Sequence, residues 1–457
     1  MKWLALLALP LAAQPLKVQE VLRSVDRSFP LIEAAMQERQ LAEGAALQAR
    51  GEFDLKLKAE GETQQLGFYR NEMFKGMLEQ NTTLFGTTVY GGYRVGRGTY
   101  GPYDEKALTL RGGEWSGGFR TPLGRDRSID QRRAGLATTK LGVDGAEFTI
   151  QKERLKIYFT ALKNYWDWVA TGRQLGIARM LLRIAEERNQ QIEDQVKLGQ
   201  LAPIELTDNR RAILQRQSAL VAAERNLQAA AIGLSLFFRD AGGNPQLADA
   251  SRLPEAMPDP ATLSQEAEQQ GAAAAMANRP EIRGLSIKRQ QQSVEARLAD
   301  NQLLPQVDLY FNYSRDLGEG RLSRRGSEVE AGLQFELPAQ RRKATGKQIQ
   351  TEAKLRVIDA ELRLARDQVL LDVQDAASAV RAAHDGAGLI ARELTAAREL
   401  EEAERARFDL GDSTQFLVNL RELATAEAAF REVKALADCQ KALAAFDAAT
   451  ARLLTTP

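Results

Sequence analysis

The feature that most constrains this chain is that one structural plan is written twice along it. Phe29-Pro30-Leu31-Ile32-Glu33 opens a helix-like run ending near Arg50, and Arg279-Pro280-Glu281-Ile282 opens another ending near Asn301. Each run leads into an alternating segment, Phe53-Asp54-Leu55-Lys56-Leu57-Lys58-Ala59-Glu60 in the first copy and Val307-Asp308-Leu309-Tyr310-Phe311-Asn312-Tyr313 in the second. A period of two marks strands whose two faces meet different surroundings. A second strand follows in each copy. Ala107-Leu108-Thr109-Leu110 leads to Trp115 through Pro122, and Glu328 through Pro338 does the same. Both strands end on a proline and pass into a basic stretch, Gly124-Arg125-Asp126-Arg127 or Gln340-Arg341-Arg342-Lys343. Proline cannot donate to a sheet ladder but is tolerated at a helix start, so Pro122 and Pro338 are expected to be the strand-to-helix junctions.

A very long helical pattern follows each proline. Leu355, Ile358, Leu362, Ala365, Val369, Val373, Ala376 and Val380 recur at spacings of three and four, with charged residues between them. The helix is expected from near Gln340 to Leu410, about 70 residues or roughly 105 Å. The first copy matches it from Ser128 to Leu198, with an inner stripe of Leu155, Tyr158, Leu162, Tyr165 and Val169. Both helices are interrupted at the same place, Lys197-Leu198-Gly199-Gln200-Leu201-Ala202-Pro203 and Asp409-Leu410-Gly411-Asp412-Ser413-Thr414. Glycine just past a helix end is a C-cap signal, and proline or threonine then opens the next helix, which runs back antiparallel. The expected division is a signal peptide at 1–13, a first repeat at 14–239, a linker at 240–260 and a second repeat at 261–457. Within the first repeat, strands are expected at about 52–64 and 106–121, a long outer loop at 66–105 and helices over 123–239. In the second, strands are expected at about 306–316 and 326–337 and helices over 339–455.

The first thirteen residues have the form of a secretory signal: Lys2 is the charged start, Trp3 to Leu11 the apolar run, and Ala13 the expected cleavage point. A buried N-terminal helix is the alternative reading, and no cysteine follows for lipid attachment. Elsewhere the longest apolar stretch is Ala229 to Phe238, half of the roughly 20 residues a membrane helix needs. A membrane location therefore requires strands closed into a barrel. Four strands cannot close one, since the smallest membrane barrels have about eight, and three chains of four would give about twelve around a lumen.

At this point the residues resemble the TolC-like outer-membrane efflux protein family. The resemblance rests on Arg279-Pro280-Glu281-Ile282, Leu304-Pro305-Gln306-Val307-Asp308-Leu309, the strand-ending proline before Arg341-Arg342-Lys343, and the breaks at Gly199 and Gly411. It runs from about Val18 to Leu454. It implies a mainly α fold with a transmembrane β part: a two-fold repeat of β-hairpin plus long α-helical hairpin. A homotrimer then builds a twelve-stranded barrel continued by a periplasmic helical barrel. The implied function is the outer-membrane exit duct of a tripartite efflux or type I secretion system, with a periplasmic adaptor and an inner-membrane transporter as partners. A periplasmic coiled-coil adaptor or scaffold is the alternative. The family's gate lies at the glycine turns of the tunnel tip, so Gly199, Glu205, Asp208, Gly411 and Asp412 are the residues it points to for gating and adaptor contact. The family's acidic constriction has its counterpart here in Phe416 to Arg421, which carries no carboxylate until Glu422.

Other readings stand beside these. Glu205 and Asp208 also suit the first turns of a helix, where acidic residues complement the dipole. Trp115, Tyr310, Phe311 and Tyr313, with Tyr90, Tyr93, Tyr100 and Tyr103, suit either a membrane-interface girdle or the core of a soluble β unit. Arg125, Arg127, Arg341, Arg342 and Lys343 suit phosphate-bearing headgroups or ordinary solvated helix starts, although cations there oppose the dipole. Ala344-Thr345-Gly346-Lys347 fails as a phosphate loop, because Arg341 stands where glycine is required and Gln348 where Ser or Thr is. Gly91-Gly92-Tyr93-Arg94-Val95-Gly96-Arg97-Gly98 reads as loop. The chain has 1 His and 1 Cys, His384 and Cys439, too few for a multi-histidine metal site or an internal disulfide. No enzyme constellation, metal or cofactor is indicated. With 62 basic and 61 acidic side chains, no net field favours nucleic acid.

Overall fold

A computed structural model describes residues 14–321 and 324–455; the expected signal peptide at 1–13 lies outside the described residues. The repeat is plain in the element lengths. Helices α1 (Val18–Ser28) and α2 (Pro30–Gly51) in the first copy match α5 (Gln265–Asn278) and α6 (Pro280–Asn301) in the second. Both α2 and α6 have 22 residues and begin on the repeated proline, whose missing N–H is an orphan donor at a helix start in any case. The long helices α3 (Gln131–Lys197, 67 residues) and α7 (Arg342–Asp409, 68 residues) match as well. Each is followed by its return helix, α4 (Pro203–Ser235) or α8 (Gln415–Ala449).

The chain divides into two compact units. One gathers the chain up to Met36, Thr149–Ile282 and the chain from Ala365 onward. Its core is built on the expected first-copy stripe: Leu155, Tyr158, Leu162, Tyr165 and Val169 are all buried, around Trp168 and against α1 residues Val21, Leu22 and Val25. Leu16 joins this core, and its carbonyl oxygen accepts the Tyr165 hydroxyl at 2.7 Å. The 240–260 stretch, expected as the linker, packs within the same unit. Ala248 is buried, Leu253 and Met257 lie against the core, and Arg252 pairs with Glu20 at 2.7 Å. The methyl groups of Leu253 occupy the space beside Gly172 of α3, where a Cβ would come within 2.6 Å of both.

The other unit comprises Gln37–Phe148 and Arg283–Leu364 and holds the sheet. Among the described residues six strands, not four, form it: β1 (Lys56–Gln64), β2 (Asn71–Asn81), β3 (Thr88–Gly98), β4 (Glu114–Pro122), β5 (Gln306–Asp316) and β6 (Ser327–Glu336). They pair antiparallel in chain order. The expected outer loop at 66–105 is thus overturned, since β2 and β3 fill most of it. Glycine is the reason they read as loop. Gly92 lies so close to its neighbour that a Cβ would meet the Gly76 carbonyl oxygen at 2.6 Å, and such a close approach admits only glycine. The segment 106–113, expected to begin the next strand, ends a short helical turn and then passes through irregular chain into a second turn instead.

Directly paired residues share a face, so the register sorts the side chains. One face carries Phe74 and Leu78 of β2, Val89, Tyr93 and Val95 of β3, Trp115 and Phe119 of β4, Phe311 and Tyr313 of β5, and Leu333 and Phe335 of β6. Much of it is exposed, Trp115 at 56% and Leu333 at 67%. The opposite face is mostly polar and carries ion pairs, Lys58 to Glu79 at 2.6 Å and Arg94 to Glu114 at 2.5 Å. The aromatic residues proposed for a girdle therefore divide. Tyr93, Trp115, Phe311 and Tyr313 are on the apolar face, while Tyr90 and Tyr310 are on the polar one, opposite Gly118 and Gly332. There they cover the glycines: a Cβ on Gly332 would meet the Tyr310 ring at 2.5 Å.

Neither proline opens a helix as expected. Pro122 is the last residue of β4, opposite Asp308, and the chain stays paired beyond it through Leu123 N–H to Val307 O at 2.6 Å and Arg125 N–H to Pro305 O at 2.9 Å. Asp126 then turns with positive φ (69°), its N–H held by the Asn301 side chain at 2.7 Å. Asp130 caps α3, accepting the Arg133 N–H at 2.9 Å. Pro338 lies two residues beyond β6 and four before α7. No helix among the described residues is long and apolar enough to cross a membrane, which says nothing of strands.

Candidate functional site

The hairpin turns in the helical unit are built alike. Gly199 (φ 74°) ends α3, with its own N–H on Val196 O at 3.0 Å and the Gln200 N–H on Gln195 O at 2.9 Å. Gly411 (φ 81°) ends α7 through the equivalent pair, Gly411 to Phe408 and Asp412 to Arg407, both at 2.9 Å. These are the paired bonds of a Schellman cap, which needs a left-handed residue and so favours glycine. Replacing Gly411 with Ala is expected to lower the hairpin's stability by about 1 kcal/mol, since the conformation is strained although the space beside it is open. Hydrogen exchange at residues 405–415 should speed up accordingly, and unchanged exchange would contradict a strained cap.

Eleven residues past Gly411, one carboxylate ties four helices together. Glu422 of α8 is 1% exposed. It accepts bonds from Arg188 of α3 (one at 3.1 Å and a shorter one), Arg216 of α4 (2.7 Å) and Arg405 of α7 (2.9 Å). Arg405 also reaches Glu401 at 2.7 Å. Burial alone would push the Glu422 carboxyl up, but the three guanidiniums outweigh it and hold the group down at about 2. Asn419, one turn earlier, accepts from Arg188 at 3.1 Å and donates to Asp208 at 3.4 Å. Asn209 is fully buried and donates to Ala185 O and Asn189 at 3.2 Å each, which fastens α4 to α3.

Of the residues expected at the tip, Asp208 is brought into this network through Asn419, and it also pairs with Arg211 at 3.0 Å. Glu205 stands half-exposed in the first turn of α4, outside it. Asp412 pairs with Arg407 at 3.4 Å. Glu422, Arg188, Arg216 and Arg405 were not among the expected residues. The signal for Glu422 was present, because it falls in the buried stripe of α8 between Val418 and Ala426, at spacings of four.

In the sheet unit the five basic residues do not act together. Arg125 is bonded to Gln306 and lies 3.7 Å from Asp126, and Arg127 stacks over the Phe85 ring at 5.3 Å. Arg341, Arg342 and Lys343 are exposed. Among the described residues no group of three His, Cys, Asp or Glu is placed to hold a metal.

No family model matches the sequence, and no curated protein matches it either. Solved structures do match the fold. The open state of the Neisseria gonorrhoeae MtrE outer membrane channel aligns over 95% of this chain and 88% of that one, with a TM-score of 0.65 and 13% identity. The outer membrane protein VceC of Vibrio cholerae aligns over 95% of both chains, with a TM-score of 0.64 and 13% identity. The Campylobacter jejuni CmeC outer membrane channel covers 95% of this chain and 85% of its own, with a TM-score of 0.62 and 12% identity. Two copies of one helix-and-strand plan, carried over nearly the whole length of such structures, give this chain the fold of the TolC-like outer-membrane channels.

Proposed function

We propose that this chain is an outer-membrane channel, the exit duct of a tripartite efflux or type I secretion assembly. On this reading three copies share one barrel and dock to a periplasmic adaptor and an inner-membrane transporter. The sheet supplies each copy's part of the membrane wall, and the helical hairpins supply its part of the periplasmic conduit. The chain does no covalent chemistry; it is a passage. The observation that carries the reading is the sheet itself, exposed and apolar on one face, polar on the other, with the outer edges of β1 and β6 unpaired among the described residues. In lipid, open edges leave backbone groups unsatisfied at several kcal/mol each, so such a sheet must close with other copies. A soluble adaptor has no use for a broad apolar sheet face opposite a polar one, and that alternative is not favoured.

The Glu422 cluster suits a pin that holds the hairpins in register near the turns, with Asp208 and Asn419 extending it. Gly199, Glu205, Gly411 and Asp412 at the tip suit adaptor contact, beside exposed Leu198 and Leu410. Arg341, Arg342 and Lys343 suit the phosphates of the membrane surface. The test is fractionation followed by reconstitution. The protein should sediment with outer membranes as a trimer that dissociates only on heating, and it should conduct ions in planar bilayers. A soluble monomer without conductance would overturn the reading.

A further inference from the structure

We propose that all six strands of each chain enter the barrel wall, so that three copies close an eighteen-stranded barrel with β6 of one copy paired to β1 of the next. The inference rests on the trimeric channel reading above and fixes the composition of its wall.

Length is the first argument. Strands β2 and β3 have 11 residues each, as long as β5, and a tilted strand of about 9–11 residues spans a membrane. Continuity is the second. The ladder runs unbroken from Lys56↔Glu79 in β1–β2, through Asn81↔Thr88 in β2–β3, to Thr88↔Arg120 in β3–β4. Strand β1 has no pairing with β4, because β2 and β3 stand between them. A twelve-stranded wall would require β1 to abandon nine residue pairs and re-form them elsewhere.

The third argument is the surface. The apolar face does not stop at β4 but continues through Val89 to Phe74 and Leu78, which are 47%, 55% and 46% exposed. Their neighbours along the strands, Lys75, Glu79 and Arg94, fall on the polar face. A hairpin standing in water outside the membrane would have no reason to sort its side chains this way. The two free edges also suit each other. On the polar side, β1 begins with Lys56 and Lys58 at the end where β6 finishes with Glu336. On the apolar side, β1 offers small Ala59 and Gly61 beside the bulky Leu333 and Phe335 of β6. At a strand spacing of about 4.8 Å and a tilt of about 40°, eighteen strands give a wall about 36 Å across, against about 24 Å for twelve.

Site-directed spin labels test the wall in reconstituted full-length trimers carrying Cys439→Ala. Single cysteines at positions 73–78 and 89–95 should alternate, with Phe74→Cys, Leu78→Cys and Val89→Cys reached by oxygen from the lipid and Lys75→Cys and Arg94→Cys by aqueous nickel chelate. A second variant, Ala59→Cys with Leu333→Cys, should form disulfides between chains and a trimer band without reductant. Uniform aqueous access along β2 and β3, in trimers whose Leu333→Cys label still lies in lipid, would overturn the eighteen-stranded wall and leave the channel reading intact. Loss of lipid contact at Leu333 as well would overturn both.

Discussion

Replacing Glu422 with Ala is expected to destabilise the helical hairpins by about 3–5 kcal/mol, because it strands three guanidiniums around a buried site without their common partner. Arg188 and Arg216 are 14% and 10% exposed and cannot recover full hydration without the helices parting. The expected readout is a lower thermal midpoint of the helical signal and faster hydrogen exchange in residues 185–216 and 405–422 together. The same site sets an acid sensitivity. A carboxyl near 2 in the folded chain and at its ordinary 4.5 in the unfolded one binds fewer protons when folded. Its stabilisation is therefore complete above about pH 4.5 and is lost as pH falls toward about 2, amounting to about 3 kcal/mol. Other carboxylates titrate in that window, so the decisive quantity is the difference between wild type and Glu422→Gln. That difference should shrink steadily from pH 5 to pH 2. A pH-independent difference, or a cost below about 1 kcal/mol for Glu422→Ala, would mean that the arginines are already hydrated and that the cluster pins nothing.

The same residue marks the limit of what the amino-acid pattern discloses. The duplication was legible because helix period, proline starts and glycine stops are local signals, and they recur at matching positions: Pro30 and Pro280, Gly199 and Gly411. In the sequence Glu422 stands only as the end of a stretch without carboxylates. Its role depends on Arg188 and Arg216, more than two hundred residues away, and no local period reports a partner at that distance. Strands β2 and β3 are illegible for a different reason. Their glycines weaken both the alternation and the strand propensity, and the need for glycine comes from a neighbouring strand whose position the pattern does not give. In the sequence the basic stretches form two equivalent sets. Yet Arg125 and Arg127 are occupied by Gln306 and Phe85, a distinction set by side chains brought near only by folding.

Substituting Val for Gly118 is expected to reduce assembled trimer by more than ten-fold, while its neighbour Gly117→Ala leaves the yield unchanged. The two glycines are adjacent on β4 and point to opposite faces. Gly118 sits in the seam where the first copy's strands meet the second's, between Tyr90 of β3 and Asn312 of β5. A Cβ there would collide with the Phe311 carbonyl oxygen and stand 2.9 Å from the Tyr90 hydroxyl and 3.0 Å from the Asn312 Cα. The tyrosine can swing aside, but the β5 backbone cannot move without opening the nine-pair β4–β5 ladder. Overpacking of side chains typically costs about 1–3 kcal/mol. Here each opened backbone pair in lipid would add several kcal/mol, so the sheet should fail to close rather than adjust. Gly117 faces the apolar side, and its nearest neighbour, the Tyr90 carbonyl oxygen, would be 3.5 Å from a Cβ, an ordinary contact. The measurement is the ratio of heat-dissociable trimer to monomer in outer membranes, alongside the helical signal of the purified chain. A helical signal retained with trimer lost places the damage in the sheet. Equal trimer yields for the two variants would refute the close β4–β5 approach on which the wall depends.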